Sequence, residues 1–143
     1  MASVHMYVGI SVVALNALAG LWGGISWLRK DPSVWFWYFL RTAQLAVVIQ
    51  AGLGMALLAG GNQPGNELHV LYGLLPLLVT LVSEAMRVGA VTRQTGEIAD
   101  VDALPHAEQV ALARRVVLHE TAIMTVGALV ILGLALRAYF VGT

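Results

Sequence analysis

Apolar residues fall into four long runs along the chain, at about 4–28, 34–58, 68–86 and 116–140. Each run is long enough to cross a hydrocarbon core of roughly 30 Å as a helix rising about 1.5 Å per residue. None alternates with period two, so a barrel is not expected, and helices satisfy their own backbone in lipid. Turn chemistry marks the breaks. In Arg29-Lys30-Asp31-Pro32-Ser33 the proline cannot continue the first helix. Residues 60–66, Gly-Gly-Asn-Gln-Pro-Gly-Asn, form a flexible polar turn. The longest connection, 87–115, holds Glu97, Asp100, Asp102 and Glu108, and from Pro105 onward it suits an amphipathic helix on the membrane surface. The expected fold is all-α: one four-helix transmembrane domain over residues 1–143, with up-down topology.

Composition and charge narrow the function classes. Hydrophobic residues make up 59% and charged residues 11%, too few charges to cover a soluble surface, where roughly 25% is usual. Eight basic and eight acidic side chains cancel, which removes nucleic acid as a partner for a basic patch and leaves the lipid bilayer as the expected environment. With no cysteine there are no thiolate metal sites, iron–sulfur clusters, disulfides or thiol nucleophiles.

Arg29 and Lys30 lie in the first connection, and Arg87, Arg93, Arg114 and Arg115 lie in or beside the third; the second has no basic residue. The positive-inside rule then places connections one and three in the cytoplasm and both termini outside, with Arg137 alone against the trend. The first run ends in positive charge, lacks a basic leader and exceeds a cleavable h-region, so it reads as a retained span. A prokaryotic plasma membrane is the expected location.

Polar residues that lipid should penalise form two groups. His5 opens the first helix and His69 the third, so both imidazoles sit at similar depth near the outer face. First and third helices of an up-down bundle are diagonal neighbours, which suits a flat ligand between two axial histidines. Gly9 and Gly73 each follow their histidine by four residues, on the same helical face, and leave flat surface for a macrocycle. Gln50, Gly52 and Gly54 on the second helix reach toward the same half. An interfacial imidazole and a packing glycine are the plainer readings of these residues.

The second group lies toward the cytoplasm: Arg41, Glu84, His119 and Glu120. Arg41 alone in the membrane would be costly, so pairing with Glu84 or Glu120 is expected, with an anionic-ligand pocket as the functional alternative. His106 is expected in the loop, solvated. Asn16, Gln44 and Gln50 suit interhelical hydrogen bonds, and Gly20 with Gly24 forms a small-residue face for a neighbouring helix or a dimer partner. Trp22, Trp27, Trp35, Trp37 and Tyr38 read as an interfacial belt. Pro76 should kink the third helix and free the Tyr72 carbonyl.

A histidine heading one helix, then the run 45–54 (Leu-Ala-Val-Val-Ile-Gln-Ala-Gly-Leu-Gly), then a helix headed by Leu68-His69, resembles one half of a heme A synthase over residues 5–90. The two histidines stand 64 residues apart, a separation similar to the family's. The resemblance implies a four-helix bundle with His5 and His69 as axial heme ligands near the outer face, and a homodimer from a half-length chain. Ala2 and Met6 stand where the family carries a carboxylate and an arginine. That departure, with only one half present, speaks against a complete hydroxylating enzyme.

The expected function is therefore a heme b protein, cytochrome b-like, in electron transfer or heme handling. Transport through an intramembrane charge relay of Arg41, Glu84 and Glu120 is one alternative, and two more stand beside it. One is a cofactor-free structural subunit of a larger, respiratory-type membrane complex. The other is a copper protein using His5, Met6 and His69.

Overall fold

The computed structural model describes residues 1–96, 98 and 100–142, and among these it contains four α-helices and no strand. They are α1 (Ala2–Leu28), α2 (Val34–Ala59), α3 (Glu67–Thr95) and α4 (His106–Gly142). All four are long and apolar enough to cross a membrane, and the chain is an integral membrane protein. Glu97 lies outside the described residues.

Helices α1 and α2 match their apolar runs to within two residues at each end, whereas α3 and α4 overrun theirs. The expected 87–115 connection shrinks to residues 96–105, because α3 continues to Thr95 and α4 begins at His106. The segment after Pro105 is not a separate surface helix but the opening turns of α4. Residues 106–115 are mostly strong helix formers, and no glycine or proline interrupts the chain until Gly127. A helix already formed through the membrane extends along such a sequence at little cost. At about 1.5 Å per residue, the 37 residues of α4 reach nearly twice the thickness of a hydrocarbon core.

The helix ends are set locally. Asn66 caps α3 by accepting a 2.9 Å hydrogen bond from the Leu68 amide. After α1, Lys30 takes a left-handed conformation (φ 53°), and its carbonyl accepts hydrogen bonds from Arg114 Nη2 at 2.7 Å and Nε at 3.3 Å. The first connection is thereby tied to α4.

In the bundle α1 packs along α2 and α4, and α3 packs along α4; α2 meets α3 only sparingly, and α1 and α3 are diagonal. Two apolar layers fill the middle. Ala19, Phe36, Leu40, Met124 and Ala128 form one, and Val12, Ala46, Val47 and Ile131 the other. Small residues permit the closest approaches. A Cβ on Gly20 would meet the Leu129 side chain, one on Gly23 would meet Phe36 and Thr125, and one on Gly127 would meet Ser83. Gly20 thus serves packing inside this chain, and its partner in that role is Gly23; Gly24 faces open space.

Candidate functional site

Beyond the Val12–Val47 layer the bundle opens into a cavity of about 540 Å³, within the range of cofactor pockets. Its walls come from all four helices, and Asn62, Gln63, Pro64 and Gly65 of the second connection form its rim. His5, Gly9, Gln50, Gly54, His69 and Gly73 all line it. Gly52, by contrast, is exposed, with nothing near its Cβ position.

His5 and His69 meet across the diagonal, with ring centroids 6.0 Å apart and planes inclined at 64°. Each ring is held by one nitrogen. His69 Nδ1–H donates to the Ala138 carbonyl at 2.9 Å, and this leaves Nε2 as the ring's lone-pair nitrogen. His5 Nε2 lies 3.2 Å from Nε2 of Gln50. His5 Nδ1 and Gln50 Oε1 are both buried without a hydrogen-bond partner. Turning the amide over lets Oε1 accept from His5 Nε2–H and makes His5 Nδ1 a buried lone pair, the state a metal ligand requires.

Glycine lets the backbone close on these rings. A Cβ on Gly54 would stand 3.2 Å from His5 Cε1, and one on Gly9 would stand 3.0 Å from Gln50 Nε2. Gly73 faces open space, so its wall of the cavity is flat. Pro76 is buried in α3 and lines the cavity floor, and its carbonyl accepts from Thr80 Oγ1 at 2.9 Å. Met6 lines the cavity too, though its side chain is half exposed. Among the described residues no three His, Cys, Asp or Glu side chains cluster closely enough to hold a bare metal ion.

The second group of polar residues gathers at the other end of the bundle, where it forms a chain of charges. Glu84 accepts hydrogen bonds from Arg41 and from Gln44 Nε2 on α2, the latter at 2.8 Å. Its other oxygen accepts from Arg87 Nε at 2.8 Å, and Arg87 Nη1 donates to Glu120 Oε1 on α4 at 2.8 Å. Arg41 therefore pairs with Glu84 and not Glu120. Trp37, expected in the aromatic belt, is instead half-buried beneath two guanidinium groups, with Arg41 Cζ 5.7 Å and Arg87 Cζ 5.9 Å from its ring centre.

His119 does not join this network. It is exposed on α4, one residue and about 100° of helical turn away from buried Glu120. His106 is the exposed first residue of α4. Arg87 is the member that sequence reasoning left in the loop; its place three residues after Glu84 was the available signal. Asn16 turns its amide nitrogen to its own helix, where it donates to the Val12 carbonyl at 2.8 Å. Arg137 lies over the Tyr72 ring at 5.9 Å.

No family model, curated protein or solved structure matches the chain, so the resemblance to heme A synthase rests on the residues that carry it.

Proposed function

We propose that this membrane protein binds heme b in the cavity, with His5 and His69 as axial ligands, and serves in electron transfer or heme handling. The histidine separation carries this reading. Two imidazoles sharing one metal ion, at roughly 2 Å per bond and about 1 Å more from nitrogen to ring centre, have centroids about 6 Å apart. The observed value is 6.0 Å, between rings that reach each other from diagonal helices. Each imidazole is also held through one nitrogen by a neutral partner, and with the Gln50 amide turned over both rings take the arrangement that orients metal-bound histidines.

Among the described residues no third His, Cys, Asp or Glu joins the two imidazoles, and such a pair suits a cofactor that brings its own remaining ligands. Bound heme would supply a one-electron couple. His5 and His69 would hold the group from α1 and α3, and the largely apolar walls of the cavity would raise the cost of charge on it. Arg29 and Lys30 in the first connection, Arg87 and Arg93 in the last turns of α3, and Arg114 and Arg115 in the opening turns of α4 support an orientation with the histidine end outside; the reading takes the membrane to be a prokaryotic plasma membrane.

The test is an absorption spectrum of purified protein, oxidised and then dithionite-reduced, for wild type, His5→Ala and His69→Ala. The expected result is a Soret band with resolved α and β bands in wild type, lost in both variants while helical circular dichroism persists. A featureless visible spectrum after heme is supplied in excess, or full heme occupancy in both variants, overturns the proposal.

A further inference from the structure

From the contacts around His69 we infer that the C-terminal turn of α4 is a positioning element for that histidine. It fixes the ring's tautomer and presents Nε2 to the cavity. The role deepens the heme reading and rests on it for what Nε2 meets.

Three observations converge on this turn. First, His69 Nδ1–H donates to a backbone carbonyl, that of Ala138, and not to a side chain. A carbonyl can only accept, so the bond is compatible with a protonated Nδ1 alone, and in the neutral ring Nε2 must carry the lone pair. Second, Ala138 is itself buried, so the bond to its carbonyl is shielded from solvent.

Third, the ring lies against the helix backbone one turn further on. A Cβ on Gly142 would stand 2.5 Å from His69 Nδ1 and 2.9 Å from Cε1. Any residue larger than glycine there displaces the imidazole from the carbonyl that orients it. Ala138, Tyr139 and Gly142 all line the cavity, so the turn is part of its wall. The hydrogen bond fixes the rotation of the ring as well as its tautomer, as a hydrogen-bonded second nitrogen does in metal-binding histidines.

The experiment uses the full chain in detergent and reads the ring before any heme is added. Nitrogen-15 shifts of labelled histidine in the cofactor-free protein should show His69 protonated at Nδ1 in wild type. Gly142→Val should lose that signature, and Gly133→Val, at an open position of the same helix, should keep it. Heme titration then gives the second readout. Outer-sphere changes of this kind weaken metal sites by about 10- to 100-fold, and Gly142→Val should lose heme affinity to that extent with a shift away from the low-spin spectrum. His69 protonated at Nε2, or a tautomer and a spectrum unchanged in Gly142→Val, overturns the inference. A wild-type chain that shows the Nδ1–H tautomer yet binds no heme overturns the heme reading alone and leaves the positioning role of the turn standing.

Discussion

Arg87 on α3 and Glu120 on α4 share a 2.8 Å hydrogen bond, and Glu120 is 91% removed from solvent where it does so. The same arginine holds Glu84, which in turn holds Arg41 on α2, so alternating charges stitch three helices together at one level. Glu84 is the central member. Glu84→Ala would leave Arg41 and Arg87 without their shared carboxylate inside a membrane span and free the Gln44 amide. The expected loss is on the order of 2–3 kcal/mol, read as a lower thermal midpoint in detergent. Glu120→Gln removes one ion pair but keeps a hydrogen-bonding oxygen, and should cost less. Equal midpoints for wild type and Glu84→Ala would show that the network adds nothing to stability.

Two neighbouring glycines should respond in opposite ways to alanine. At Gly23 the new methyl would stand 2.5 Å from Phe36 Cε2, a ring that is fully buried and cannot retreat. Overpacking of that kind costs roughly 1–3 kcal/mol. At Gly24 nothing lies within 4 Å, so alanine should be neutral or stabilise the helix by up to about 1 kcal/mol. Thermal midpoints of the two variants, measured side by side, check the contrast.

Gly54 and Gly52 offer a similar contrast at the cavity. Leucine at 54 would project against His5 Cε1 and into the space the proposed cofactor needs. Heme affinity should fall about tenfold or more, with little change in helical content. Leucine at 52 points into open space and should leave heme binding as it is. Loss of affinity in both would place the effect in the helix and not in the cavity.

The absence of native cysteine makes orientation directly measurable with single introduced thiols. In intact cells, Asn62→Cys on the cavity rim should react with an impermeant maleimide. Ser33→Cys in the first connection should react only after the membrane is opened. The reverse pattern would place the histidine end in the cytoplasm.

Hydropathy located α1 and α2 almost to the residue, because their ends coincide with the polar breaks at 29–33 and 60–66. It cut α3 and α4 short for a physical reason: it registers where lipid stops, not where the helix stops. Residues 87–95 and 106–115 are polar enough for water and still helical. The histidine–glycine spacing was legible because four residues return to one helical face. Rotation of one helix against another was not. Arg41's choice between Glu84 and Glu120, the exposure of His119 and the hold of Ala138 on His69 all depend on it. Gly142 could not have been singled out either, since its importance lies in a ring that arrives from 73 residues earlier in the chain.

Helix α2 touches α3 only sparingly, and the hydrogen bonds seen between them are those of Arg41 and Gln44 with Glu84, which gives the molecule the mechanics of a clothes peg. The spring is the charged stitch together with the Phe36 and Met124 layer, and the jaws are the helix ends around the two histidines. Spreading them would part α2 from α3, the adjacent helices that touch least, so on the proposed reading a cofactor would enter by that side while the spring stays intact.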